Sequence, residues 1–322
     1  MTPTFSVSQS PSLAFVFPGQ GSQSIGMLAE LASEFDVVAD TFAEASEGAK
    51  ADLWTLSQDG PEELLNSTEN TQPALLAAGV AVWRVWQECG GDTPSLLAGH
   101  SLGEYTALVC AGCLSLTDAA GLVAERGRLM QSAVPAGVGA MAAVLGGNDA
   151  QIAEVCAEVA NGEVVAPANY NAPGQLVIAG NTAAVDRAIA RLAELGVRKT
   201  VKLAVSVPSH CALMRGASEA LAKKFETISW STPKIPVIQN AAAKSYGDVE
   251  SIRGALAQQL YMPVRWTESV QQFPARGITR VAECGPGKVL TGLLKRIERT
   301  LDGRALGAPE EMAQALHDWK RA

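Results

Sequence analysis

Ser95-Leu96-Leu97-Ala98-Gly99-His100-Ser101-Leu102-Gly103-Glu104-Tyr105-Thr106-Ala107-Leu108-Val109-Cys110-Ala111 is the stretch on which the fold turns. Ser95 to His100 is a short apolar run of the kind that forms a buried strand, and Gly103 to Ala111 continues as an apolar helix. Between them lies Gly99-His100-Ser101-Leu102-Gly103, a G-x-S-x-G pentapeptide. The pentapeptide alone is a weak signal, because chance matches are common. Set between a strand and a helix, it has the context of a nucleophile elbow. The glycines allow the sharp turn and the close approach of strand to helix. The serine is presented at the helix N-terminus, where the next backbone N–H, that of Leu102, can stabilise an oxyanion. The competing reading is a plain structural turn.

Outward from the elbow, strands and helices alternate. Leu13 to Phe17 is a strand running into Pro18-Gly19, and residues 27–86 are mostly helical, with a long helix from Thr71 to Trp86. A helix over Thr117 to Gln131 is expected, with Thr117 as its N-cap. The texture changes near residue 136. From there the pattern is strand (Ala140–Leu145), helix (Asp149–Ala160), strand (Val164–Asn169), strand (Gln175–Ala179), helix (Thr182–Leu195) and strand (Lys199–Ala204), with Asn171-Ala172-Pro173-Gly174 as the central turn. This βαββαβ order is the ferredoxin-like pattern. Helix 211–228, strand 235–239, helix 248–261, a strand at Arg280–Glu283 and a final helix from Gly287 follow. The expected fold class is α/β: a large domain over 1–136 and 206–322 with a mostly parallel sheet, and a small βαββαβ subdomain over 137–205 inserted into it.

Composition narrows the function. With 48% hydrophobic and 18% charged residues over 322 positions, the chain has ample core material and is not disordered. Its formal net charge of −8 argues against nucleic acid bound through a broad basic face. Met1 to Leu13 carries no basic n-region, and no apolar run approaches the ~20 residues of a membrane span, so a cytoplasmic protein is expected. The six cysteines are then reduced. Cys110 and Cys113 form a CxxC, but in an apolar stretch with no second ligand pair, which reads as buried structural thiols and no metal site.

A serine nucleophile needs a base. The histidines are His100, His210 and His317. His100 adjoins Ser101 at a tight turn, so their side chains diverge; His317 lies in a polar C-terminal segment. His210 follows Val207-Pro208-Ser209 and precedes an apolar helix, whose dipole would hold it neutral as a base requires. Arg126 falls on the apolar face set by Ala119, Leu122, Val123, Leu129 and Met130. A buried guanidinium must be paired, either with a core carboxylate or as a bidentate clamp on a substrate carboxylate. Gly19-Gln20-Gly21 after the first strand could bring backbone N–H groups to an anion, and the missing phosphate-loop lysine excludes a P-loop.

Phe15-Val16-Phe17-Pro18-Gly19-Gln20-Gly21-Ser22-Gln23, Gly99-His100-Ser101-Leu102-Gly103-Glu104-Tyr105, Arg126-Gly127, Pro208-Ser209-His210 and Gly285-Pro286-Gly287 occur in this order. Together they closely resemble the malonyl-CoA:acyl carrier protein transacylases of bacterial fatty acid synthesis, over about residues 13 to 300. The resemblance implies an α/β-hydrolase-like domain with a ferredoxin-like insertion. It implies Ser101 as the acylated nucleophile, His210 as base, and the N–H groups of Gln20 and Leu102 as oxyanion hole. Arg126 would clamp the malonyl carboxylate, and the backbone carbonyl of Gln259 would orient the histidine in place of a triad acid. Met130 and Asn171, with Asn169, are candidates for the substrate pocket, although core packing explains Met130 equally well and turn formation explains the asparagines nearly as well. Malonyl-CoA and acyl carrier protein are the implied partners, and no cofactor is implied, CoA being a substrate. An acidic carrier would need a basic patch: Arg198, Lys199 and Lys202, or Lys288, Lys295, Arg296 and Arg299. Rival readings are a serine hydrolase or thioesterase, a non-catalytic carrier-binding module, and a trans-acting acyltransferase of a polyketide synthase.

Overall fold

The computed structural model describes residues 9–197, 199–203 and 207–319. Two sheets organise the chain. The larger runs in the order β10-β9-β1-β2-β7-β8. Its strands are β1 (Gln9–Phe17), β2 (Thr93–Gly99), β7 (Val237–Gln239), β8 (Lys244–Ser245), β9 (Arg280–Glu283) and β10 (Asp302–Ala305). All neighbours are parallel except the short β8. Both faces of this sheet are buried, as apolar strands such as Leu13–Phe17 require. One face packs on the long helix α5 (Thr68–Glu88), where Phe15 meets Trp83 and Trp86 edge-on at 5.3 Å each. Helices α1 (Ala29–Glu34), α2 (Val37–Ala49), α3 (Leu53–Asp59) and α4 (Glu62–Leu65) precede α5. Helices α6 (Gly103–Cys110) and α7 (Leu116–Ala133) follow β2.

The smaller sheet is antiparallel, in the order β4-β5-β3-β6. It is formed by β3 (Gly139–Leu145), β4 (Val165–Ala172), β5 (Gln175–Asn181) and β6 (Lys199–Lys202), backed by α8 (Asp149–Val159) and α9 (Thr182–Glu194) over a core of its own. The two units meet where the Tyr170 N–H donates to the Val264 carbonyl and the Val264 N–H to the Ala168 carbonyl. The remaining helices are α10 (Arg215–Phe225), α11 (Val249–Gln259), α12 (Trp266–Gln271), α13 (Val289–Ile297) and α14 (Pro309–Trp319).

Several expected boundaries move. The α7 helix starts at Leu116, not after Thr117, because the Ser115 hydroxyl accepts from the Asp118 N–H and caps it. The first strand begins at Gln9, and a register shift between Ser10 and Ala14 absorbs Pro11, which has no N–H to donate. Asn171 and Ala172 belong to β4, leaving Pro173-Gly174 as the turn. The region expected as helix 211–228 is a 3₁₀ turn at Ala212–Met214 followed by α10. Strand β10 and helices α12 and α14 were not expected; Asp302-Gly303-Arg304-Ala305 is an edge strand too polar for an apolar pattern to reveal.

Candidate active site

Strands β1 and β2 run parallel with Phe17 paired to Gly99, so the loops leaving their carboxyl ends lie side by side. Crevices at that end of a parallel sheet are where ligands bind in open α/β folds. The His100 N–H donates to the Phe17 carbonyl at 2.9 Å and ties the two loops together. The elbow glycines are there for space. A Cβ on Gly99 would lie 1.9 Å from the Gly103 backbone, and one on Gly103 would lie 2.0 Å from the Phe17 carbonyl oxygen. Ser101 itself sits at φ 52°, the left-handed region disfavoured for a side-chain-bearing residue. Asn240, just after β7, holds it there. Its Oδ1 accepts from the Ser101 N–H at 2.7 Å and its Nδ2 donates to the Gly99 carbonyl at 2.7 Å.

The Ser101 hydroxyl lies 2.8 Å from His210 Nε2, and His210 Nδ1 lies 2.7 Å from the Gln259 carbonyl oxygen. A carbonyl only accepts, so Nδ1 carries the proton, Nε2 accepts, and the serine hydroxyl donates. His210 is 3% exposed, at φ 61°, with its N–H donating to the Leu260 carbonyl. Burial, aided by the charge of Arg126, pushes its pKa down to about 3. The helix expected over 211–228 begins as a 3₁₀ turn at Ala212–Met214, two residues after His210, and runs directly into α10.

Arg126 is 1% exposed on α7. Its Nη1 donates to Gln72 Oε1 at 2.7 Å, and its Nη2 donates to Gln259 Oε1 at 3.0 Å and, at 3.4 Å, to the Ser101 hydroxyl. Its guanidinium also sits 5.4 Å over the Tyr105 ring. Among the described residues no carboxylate lies within ion-pair distance of it, so the core salt bridge considered from the sequence does not form. Gln259 does two jobs: its backbone carbonyl holds His210, and its side-chain Nε2 donates to the Ser101 carbonyl at 2.8 Å and to Glu104 Oε2 at 2.9 Å.

These groups open into a cavity of about 280 Å³ between the two sheets. Gln20 and Leu102 line it with Ser101, as do Met130, Asn169 and Asn171. Met130 Sδ accepts from Gln72 Nε2 at 3.6 Å. Asn171 Oδ1 accepts from His100 Nε2 at 2.8 Å, and the His100 ring, which also lines the cavity, lies edge-on to Trp266. His317 is exposed on α14 and takes no part. Arg126 is the one Lys or Arg among the described residues lining the cavity. Carboxylate oxygens of Glu283 accept from the Leu290 and Thr291 N–H groups and pin the start of α13 at the rim, where Val289 is exposed.

Thus the structure brings Ser101, His210, Arg126, Gln20, Leu102, Met130 and Asn171 to one cavity, with Gln259 buried behind His210. Sequence reasoning missed Gln72, Glu104 and Asn240. Gln72 and Glu104 could have been flagged as polar residues within the apolar runs of α5 and α6. Asn240 left no local signal. Arg198, one of the proposed basic residues, lies outside the described residues, as do Ala204 to Ser206 at the expected domain boundary. Of the other basic residues, Lys202 pairs with Asp186 and Lys288 with Glu311, while Lys295, Arg296 and Arg299 are exposed. Among the described residues no cluster of three His, Cys, Asp or Glu is placed to hold a metal ion, and no helix is long and apolar enough to cross a membrane.

The family model described as the acyl transferase domain matches residues 14–317. The malonyl CoA-acyl carrier protein transacylase of Salmonella typhimurium is 55% identical over 303 residues, covering 94% of this chain and 98% of the relative. That of Bacillus subtilis is 42% identical over 96% of this chain and 97% of its own. A crystal structure of malonyl-CoA:acyl carrier protein transacylase from Xanthomonas oryzae superposes with a TM-score of 0.96 at 63% identity, covering 97% of this chain and 99% of that one. A complex described as a type II polyketide synthase acyl carrier protein with its malonyl-transacylase superposes with a TM-score of 0.94 at 53% identity, covering 95% of this chain and 99% of that one.

Proposed function

The chain belongs to the malonyl-CoA:acyl carrier protein transacylases of the acyl transferase domain family, and on that footing we propose that it moves the malonyl group from malonyl-CoA to the phosphopantetheine thiol of acyl carrier protein through an ester on Ser101. The observation that carries this is the Ser101–His210–Gln259 relay opening beside the buried, carboxylate-free Arg126.

Ser101 Oγ attacks the thioester carbonyl as His210 Nε2 takes its proton. The tetrahedral oxyanion lies between the N–H groups of Gln20 and Leu102. CoA leaves as the thiol, protonated by His210. The carrier thiol then attacks the malonyl-Ser101 ester, with His210 again as base and then acid. The Gln259 carbonyl fixes the imidazole tautomer and orientation that the acid of a triad would otherwise fix. Arg126, with its fork already held by Gln72 and Gln259, pairs with the malonyl carboxylate and orients the acyl group. Met130 and Asn171 shape the space around it.

We read the six-stranded unit as α/β-hydrolase-like and residues 137–205 as a ferredoxin-like insertion, supported by the β4-β5-β3-β6 order and the two backing helices. Six thiols with no disulfide suit a reducing compartment, and we place the enzyme in the cytoplasm. For the carrier, the favoured docking face is that of Lys288, Lys295, Arg296 and Arg299, because Lys288 adjoins the exposed Val289 at the cavity rim. A polyketide carrier is the second reading, supported by the complex with a polyketide carrier among the similar structures.

Intact-mass spectrometry after brief mixing with malonyl-CoA tests the proposal, with Ser101→Ala and acetyl-CoA as controls. The expected result is a malonyl adduct on the unmodified protein alone, discharged by acyl carrier protein. An adduct discharged equally fast by water would make the protein a hydrolase. No adduct and no CoA release would leave a binding module.

A further inference from the structure

Glu104 is a buried acidic residue beside the nucleophile that the proposed cycle does not use. It is 0% exposed on α6, three residues after the nucleophile. Its Oε2 accepts from the Asn240 N–H at 2.8 Å and from Gln259 Nε2 at 2.9 Å. Its Oε1 is buried with no hydrogen-bond partner among the described residues. Gln259 therefore stands between two buried groups of opposite charge, accepting from Arg126 on one side and donating to Glu104 on the other. Arg126 has no carboxylate at ion-pair distance among the described residues, and Glu104, one amide removed, is a carboxyl whose charge it feels.

We propose that Glu104 is the resting countercharge of Arg126 and takes up a proton from solvent when an acyl carboxylate pairs with Arg126. This deepens the transacylase reading and rests on Arg126 as the malonyl clamp. The physical reason is charge compensation in a dry site. One buried guanidinium can stabilise one neighbouring carboxylate; a second anion beside it lacks a partner and is neutralised instead. The orphaned Oε1 is the atom that would carry the proton, since Oε2 already accepts two hydrogen bonds. Among the described residues, the groups facing Glu104 leave no other partner for this role: α7 presents Arg126, α11 and the segment after β7 present the neutral Gln259 and Asn240, and α6 itself presents the Tyr105 phenol. Burial already raises the Glu104 pKa to about 7, with the Asn240 and Gln259 hydrogen bonds and Arg126 opposing that rise. An added carboxylate on Arg126 removes part of that opposition and raises the pKa further.

The proton bookkeeping of the transfer isolates this event. Between pH 7 and 8 the Ser101 proton leaves on the CoA thiol, so the acylation step itself neither takes up nor releases a proton. Malonylation then draws solvent protons only through Glu104, and acetylation draws none. By linkage, the equilibrium constant for forming malonyl-enzyme plus CoA falls as pH rises from about 7, by at most about tenfold per pH unit for one proton.

Two measurements on the wild-type protein decide the matter. The first is proton uptake in a weakly buffered indicator solution after mixing with malonyl-CoA or acetyl-CoA; the second is the acylation equilibrium by quenched mass spectrometry from pH 6.5 to 8.5. The expected result is up to one proton taken up per malonyl-enzyme and none per acetyl-enzyme, with a pH-dependent equilibrium for malonyl alone. In Glu104→Gln both malonyl signals disappear. A malonyl adduct that forms without proton uptake and with a flat equilibrium would overturn the proposal, as would equal uptake with both donors, or uptake that survives in Glu104→Gln. If no malonyl adduct forms at all, it is the transacylase reading that has failed.

Discussion

Replacing Arg126 by alanine is the sharpest test of how the site selects its acyl group. In the structure the guanidinium donates to Gln72, to Gln259 and, at 3.4 Å, to the nucleophile, and it is 1% exposed. Removing one partner of a buried charge pair costs about 3–5 kcal/mol. The malonyl carboxylate enters a cavity that opens to solvent at Val289, so it keeps some water when the clamp is gone, and the lower end of that range applies. About 3 kcal/mol is roughly 10²-fold in kcat/KM for malonyl transfer. An acetyl group has no carboxylate to lose; it forfeits only the long contact to Ser101 and should change by no more than about threefold. The assay is competition: malonyl-CoA and acetyl-CoA offered together to a single turnover, with the two acyl-enzymes counted by mass. Both donors compete for the same molecules, so any loss of folded protein cancels. The malonyl-to-acetyl ratio should drop roughly 10²-fold. An unchanged ratio, with both donors equally impaired, would refute the clamp. The same variant carries a second signature. Arg126 helps depress the His210 pKa, so without it that pKa rises, and the acidic limb of acetyl transfer, where the base becomes protonated, moves to higher pH.

Other expectations follow from neighbouring contacts. Gln72→Ala removes a 2.7 Å acceptor from Arg126, and a hydrogen bond to a charged group is worth ~1.5–3 kcal/mol; malonyl kcat/KM should fall about 10- to 100-fold in the same competition assay, with acetyl spared. Asn240→Ala strands the Ser101 N–H and the Gly99 carbonyl and frees a residue at positive φ; urea denaturation should show a loss of about 2–5 kcal/mol with an unchanged m-value. His210, with a pKa pushed down to about 3, is neutral from pH 8 to pH 5, so NMR of its ring should show no titration in that range; a midpoint near the ordinary 6.5 would contradict its burial. The sign for folding is the same. An unfolded chain protonates this histidine near 6.5 while the folded one does not, so its contribution to stability is complete above that pH and declines as pH falls toward about 3.

Much of the fold was legible because the signals are local. Strand, elbow and helix around Ser101 are contiguous, and the βαββαβ order could be read from alternating periodicities. Arg126 announced itself by standing on an apolar helical face. Strand β10 and helix α14 escaped because edge and surface elements carry no continuous apolar pattern. That His210 is neutral was legible from its place before a helix; that burial beside the Arg126 charge lowers its pKa was not, because Arg126 lies 84 residues away in the chain.

Local sequence carries the residue types that the chemistry needs, the turn that exposes the serine, and the glycines without which that turn has no room. How those residues serve one another is a property of the packing. Ser101 meets His210 across 109 residues of chain, Arg126 meets Gln259 across 133, and Asn240 holds the elbow across 139. No periodicity reports a contact at such separations. Each is set by the parallel register that aligns the carboxyl ends of β1 and β2 and by the packing of α7 and α11 behind them, and the electrostatics of the site exist only once that packing has excluded water.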